Sequence, residues 1–125
     1  MIAVDYKKFV QEYWDAISGK PKPVSLLEKY ISDSEFIGHV VAYEKSFPCY
    51  ELIADDFICE EDKVVVRARV IGTHKGDLMG IPPTGRTIDI PFSVIYQIKD
   101  EKIAKGWLYL DQMILMEQLG ITSKN

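Results

Sequence analysis

The run Lys63-Val64-Val65-Val66-Arg67-Ala68-Arg69-Val70-Ile71-Gly72-Thr73-His74 decides the fold class. Val64, Val66, Ala68 and Val70 fall on one parity, with His74 continuing it, while Arg67 and Arg69 fall on the other. Successive side chains of a strand point to opposite faces, so this alternation predicts a strand with one apolar and one solvated side. Asp89 and Gln97, on the polar parity of a later strand, are the expected cross-strand partners of the two arginines.

The same period of two extends in both directions. Upstream, Tyr50 to Cys59 reads as a strand that turns at Glu60-Glu61-Asp62. Downstream, Gly76 to Gly85 contains Pro82-Pro83 and three glycines and reads as a loop. Arg86 to Lys99 follows as a long strand with Ile88, Ile90, Phe92, Val94, Tyr96 and Ile98 on one face. Lys99-Asp100-Glu101-Lys102 turns into a last strand, Ile103 to Asp111, and a short helix over Gln112 to Leu119 ends at Gly120, a suitable C′ glycine.

The N-terminal third has helical spacing instead. Val4, Phe9, Val10, Tyr13, Trp14 and Ile17 line one side of a helix that stops at Ser18-Gly19. A shorter helix is expected around Val24 to Tyr30, after Pro21-Lys22-Pro23, and a third within Val40 to Phe47, bounded by Pro48. Helices first and four consecutive strands after them make an α+β fold, with helices on one face of a curved antiparallel meander.

The chain has 125 residues, 47% hydrophobic and 27% charged, with 15 basic and 19 acidic residues and a net charge of -4. One domain spanning residues 1–125 is expected, burying about two-thirds of the surface of its unfolded chain without a disulfide or metal staple. No basic cluster suits nucleic acid, and no apolar run approaches the roughly 20 residues that span a bilayer. Charge follows Met1-Ile2-Ala3-Val4 at once, which is unlike a signal peptide, so the expected location is cytoplasmic. Cys49 and Cys59 stand among apolar neighbours without CxxC spacing and are read as buried, reduced thiols. With two histidines and no HExxH, no metal site is expected; without a P-loop or GxGxxG, no nucleotide site is expected either.

Asp111 is a carboxylate at the end of an otherwise apolar segment, Trp107-Leu108-Tyr109-Leu110, followed by Gln112-Met113-Ile114. Desolvating a lone carboxylate costs several kcal/mol and raises its pKa, which suits it to proton transfer near neutrality. The other reading is a strand-end acid, solvated or capping the next helix. His74 and His39 are each read either as hydrogen-bonded structural histidines or as acid/base partners. On the last strand Trp107, Tyr109 and Asp111 share one face, Leu108 and Leu110 the other. Both faces therefore ask for burial: one against an interior pocket, the other against a helix or a second subunit, or both within one domain.

Several of these residues together resemble the SnoaL-like polyketide cyclase and ester cyclase family, within the nuclear-transport-factor-2-like and ketosteroid-isomerase-like group. They are Gly72-Thr73-His74, Gly80-Ile81-Pro82-Pro83-Thr84-Gly85-Arg86, Lys102-Ile103 with Trp107 and Asp111, and Gln118-Leu119-Gly120, with Phe36-Ile37-Gly38-His39 and Phe47-Pro48 upstream. The resemblance implies a cone-shaped sheet wrapped around the N-terminal helices, open at one end. It also implies cofactor-independent acid/base chemistry, an aldol-type cyclisation or isomerisation, on an apolar carbonyl substrate. Asp111 would be the acid/base, with His74 and His39 assisting and Trp107, Tyr109, Tyr13, Trp14, Phe92 and Tyr96 forming the pocket wall. The habit of the family, with Leu108 and Leu110, implies a homodimer. A non-catalytic receptor for a small hydrophobic molecule is the alternative. The chain departs from its relatives at Gln97, where a basic residue is usual, at Gly106, where a polar one is, and at Ala68-Arg69. The segment between His39 and Phe47 is also shorter.

Overall fold

The structure, a computed structural model, describes residues 5–121. Helix α1 (Tyr6–Ile17) opens with Asp5, whose carboxylate accepts the Lys8 N–H at 2.9 Å, and buries Val10, Tyr13, Trp14 and Ile17. These lie at i, i+3, i+4 and i+7, the stripe that faces a core. Val4, expected to begin the stripe, lies outside the described residues.

Helix α2 is a single turn (Val24–Leu27), shorter than its expected extent to Tyr30. The chain leaves the helix because Ile31 forms a parallel bridge with Ile103, closed by Ile103 N–H to Tyr30 C=O at 2.7 Å and Ser32 N–H to Ile103 C=O at 3.0 Å. Helix α3 (Ser34–Ser46) starts six residues earlier than Val40. Asp33 caps it through Glu35 N–H. Only Phe36, Val40 and Ser46 of this helix are buried, so its apolar stripe is too sparse to mark the first turns.

Four strands follow, β1 (Glu51–Glu60), β2 (Lys63–Thr73), β3 (Thr87–Lys99) and β4 (Lys102–Leu110), then α4 (Gln112–Gln118). They form one antiparallel sheet in the order β1-β2-β3-β4. The expected meander is present, each strand within one residue of its predicted limits. Register shifts between Ala54 and Asp56 and between Gln97 and Ile98 mark bulges, which bend a strand and raise its twist. The concave face presents Val64, Val66 and Ala68 from β2 and Phe92, Val94, Tyr96 and Ile98 from β3 to α1, all buried.

Register corrects the side assignment on β4. Leu108 pairs with Val94 and Leu110 with Phe92, so both leucines belong to the concave face; Trp107 pairs with Ile95 and Tyr109 with Ser93, the convex parity. Alternation predicts which residues share a face, but only the neighbouring strand says which face is inside.

On the convex side Arg69 lies 3.5 Å from Asp89, as expected. Arg67 turns instead to β1, where the bulge offers Asp56 at 2.8 Å from Nε and Asp55 at 3.7 Å from Nη1. Gln97 bonds to Asp62 at 2.9 Å. Cys49 and Cys59 are exposed, not buried. Cys49 sits in a turn with φ 59°, and Cys59 is the penultimate residue of edge strand β1.

Candidate functional site

Two buried clusters divide the interior. The larger is built on α1, α3 and the middle of the sheet; the smaller joins Phe47, Tyr50, Leu78, Ile88, Ile90, Leu115 and Leu119. Leu52, Val70 and Leu110 touch both clusters. Between them lies a cavity of about 700 Å³, whose wall includes members of both. A concave, largely apolar space of this size is what small-molecule sites use.

Tyr13, Trp14, Phe92, Tyr96, Trp107 and Tyr109 all border the cavity. Tyr13, Trp14, Phe92 and Tyr96 do so as buried side chains, with the Trp14 and Phe92 rings stacked at 6.1 Å. Trp107 and Tyr109 meet it from edge strand β4, and Tyr109 is exposed. His39, on α3, also borders it and is exposed.

Asp111 and His74 are placed differently, and neither is on the cavity wall. Asp111 is the exposed N-cap of α4: its Oδ1 accepts Met113 N–H at 2.9 Å and Ile114 N–H at 3.2 Å. Its Oδ2 makes no hydrogen bond among the described residues. His74 is fully buried. Its Nδ1 accepts the Thr84 N–H at 3.1 Å and lies 3.1 Å from Thr84 Oγ1, which assigns the proton of a neutral ring to Nε2. That Nε2 is buried without a partner among the described residues. His74 also bonds through its backbone to Arg86 and Gly85, so it closes the Gly76–Gly85 loop into a strap. The strap brings Asp77, Leu78 and Met79 to the cavity.

Gly106 is explained by its neighbour. A Cβ there would stand 2.6 Å from Cε1 of Phe36, so the Phe36 ring occupies the space that a side chain at 106 would need. Phe36 meets Tyr96 edge-on at 5.9 Å, and Tyr96 pairs with Gly106 across the ladder.

The polar part of the wall is phenolic. Tyr43 and Tyr50 border the cavity with Tyr13 and Tyr96; neither stands out in the sequence, because Tyr43 lies on the sparsely apolar α3 and Tyr50 in the turn between α3 and β1. Burial raises all four phenols above their ordinary pKa of 10.0, and proximity to Tyr96 adds to the effect at Tyr13 and Tyr50. A folded-state pKa above the unfolded one gives stability that is complete below pH 10 and lost as pH rises through it. Of the seven tyrosines, Tyr13, Tyr50 and Tyr96 are therefore expected to ionise only as the protein unfolds. An ultraviolet titration should show them as a late, cooperative step coincident with loss of circular dichroism. Seven independent phenols titrating in the intact fold would contradict this.

The sequence profile described as SnoaL-like polyketide cyclase matches residues 7–119. The chain belongs to the SnoaL-like polyketide cyclase family. Solved structures agree with this family's fold. TsrD from Streptomyces laurentii is 21% identical, with a TM-score of 0.79 over 98% of this chain and 99% of that one. A proposed polyketide cyclase from Acidithiobacillus ferrooxidans is 18% identical, with a TM-score of 0.79 over 96% and 97%. AclR from Streptomyces galilaeus, a proposed hydroxylase, is 24% identical, with a TM-score of 0.76 over 91% and 80%. At these identities the likeness carries the SnoaL-like fold and not a reaction. No curated protein matches the chain.

Proposed function

We propose that this SnoaL-like protein takes a small, largely apolar molecule into the cone, between the two clusters of its core. The observation that carries this reading is the cavity itself: about 700 Å³, walled by stacked aromatic and aliphatic side chains with a few neutral phenols. Burying apolar area against such a wall is worth about 25 cal/mol per Å², enough to hold a two-ring compound. A small apolar solute should perturb the methyl groups of the cavity and leave the convex face unchanged.

The second reading is the cyclase chemistry of the family's name, an aldol-type closure or isomerisation of a carbonyl substrate without a cofactor. One observation favours it. Asp111 directly follows Leu110 of the cavity wall, and its Oδ2 is free while Oδ1 holds the helix cap. With exposed His39 at the cavity wall, this carboxylate would be the acid/base group. His74, away from the wall, would act by holding the strap.

A homodimer belongs to the same proposal, on a different face from the one Leu108 and Leu110 suggested. Ile58, Val65, Ile95 and Trp107 form one row across all four strands on the convex side, and Ile58 is 61% exposed. A second copy of the chain is the proposed cover. Sedimentation at micromolar concentration should give a dimer that Ile95→Lys dissociates; a wild-type monomer would contradict the assignment. A reducing, cytoplasmic location is proposed from the exposed free thiols of Cys49 and Cys59. No helix among the described residues is long and apolar enough to cross a membrane.

A further inference from the structure

Tyr96 is held more completely than any other phenol of the wall. Its hydroxyl accepts the Trp14 indole N–H at 2.9 Å, a hydrogen bond between two buried side chains 82 residues apart. Rings fix it from two sides: Tyr13 edge-on at 6.1 Å and 83°, Phe36 edge-on at 5.9 Å and 84°. Trp14 packs in turn on Phe92. The orientation of the hydroxyl is thus set before anything binds.

The chemistry of the pair is directional. An indole N–H can only donate, so Tyr96 oxygen is the acceptor and its own proton is left to donate elsewhere. No protein acceptor for that proton is present among the described residues. Tyr96 is 3% exposed, and both Tyr96 and Trp14 line the cavity. A buried donor without an acceptor costs about 1–3 kcal/mol, which a ligand oxygen or a water relieves. Accepting from Trp14 also polarises the hydroxyl and strengthens it as a donor. Burial keeps the phenol protonated at any physiological pH, so the donor is always present.

We propose that the Tyr96 hydroxyl, positioned by Trp14, donates a hydrogen bond to a carbonyl oxygen of the bound molecule. The inference rests on the cavity being the binding site and names what that site selects: a neutral, mostly apolar ring compound carrying one acceptor oxygen. An apolar molecule without the oxygen would leave the donor unpaired. A carboxylate-bearing one would be disfavoured by its own desolvation, since among the described residues no cation pairs with Tyr96 and the buried Lys22 is already paired with Glu44.

The probes are α-tetralone and tetralin, which share a two-ring skeleton and differ by one carbonyl, titrated calorimetrically into wild type and Tyr96→Phe. Comparing each probe between proteins cancels its transfer from water. Tyr96→Phe is expected to weaken tetralone roughly three- to tenfold, the worth of one neutral hydrogen bond, and tetralin less than twofold. Equal effects on the two probes would overturn the inference while leaving the cavity reading intact. Binding of neither probe to wild type would overturn both. Because Tyr96→Phe strands the Trp14 N–H and could unfold the protein, the infrared carbonyl stretch of tetralone bound to wild type supplies a second readout. A stretch lowered from its value in hexane is expected; a hexane-like value would overturn the proposal without any variant.

Discussion

Glu44→Ala is expected to lower the unfolding free energy by about 2–4 kcal/mol, somewhat below the figure for a fully buried partner because Glu44 retains some exposure. The Lys22 side chain is entirely out of solvent, and its ammonium donates to Glu44 at 3.0 Å, to Lys20 C=O at 2.8 Å and to Tyr50 C=O at 3.2 Å. It also stands 3.9 Å above the Tyr50 ring. The other Glu44 oxygen accepts the Cys49 N–H at 2.9 Å, holding a turn in positive φ. Removing the carboxylate leaves a buried charge with two carbonyls and a ring. Burial already lowers the Lys22 pKa, and Glu44 works against that effect. Because the folded value lies below the unfolded one, stability rises with pH up to the ordinary lysine value of 10.5. The alanine variant should steepen that rise. Glu44→Gln, whose amide oxygen can keep one of the two acceptor contacts, should lose less than alanine. Urea midpoints at unchanged m decide it, and a loss below about 0.5 kcal/mol would mean solvent already compensates Lys22. The consequence reaches the cavity, since Tyr50 is on its wall.

At Asp111, two substitutions separate the roles open to one carboxylate. Asn retains an oxygen at the helix cap and should leave stability nearly unchanged, while Ala removes the bonds to Met113 and Ile114 and should cost about 1 kcal/mol. If the protein only binds its ligand, both variants keep wild-type affinity. If Asp111 is also the acid/base of a ring closure, Asp111→Asn should lose at least about a hundredfold in turnover with melting and binding intact, the usual worth of a positioned proton-transfer group. Turnover that survives Asp111→Asn would remove the carboxylate from the chemistry, whatever the family's name suggests.

The sheet was legible because its cause is local. Val64, Val66 and Ala68 alternate with Arg67 and Arg69 whatever lies around them, and the turn at Glu60-Glu61-Asp62 interrupts the pattern at the right place. Which side of β4 faces inward was not legible, since Trp107 and Leu108 are both apolar and only pairing with Ile95 and Val94 assigns them. The first turns of α3 were hidden for a related reason: Phe36 and Val40 alone do not make a periodic stripe. Within the site, the aromatic wall was an implication of the family resemblance, and the Trp14–Tyr96 hydrogen bond and the Lys22–Glu44 pair join residues 82 and 22 positions apart. Gly106 read as a missing polar group and became intelligible only against the Phe36 ring. Asp111 shows the opposite limit. Both readings of it, cap and acid/base group, were open in the sequence; the structure supplies the cap and leaves Oδ2 without a hydrogen bond among the described residues.

The cavity as a binding site is tested most directly by methyl resonances during titration with tetralin. Leu52, Val70, Val94, Leu108, Leu110 and Leu115 line the cavity, whereas Ile58, Val65 and Ile95 lie in the convex row. Saturable shifts confined to the first group are the predicted result; shifts confined to the convex row, or none at the solubility limit of the probe, would contradict it.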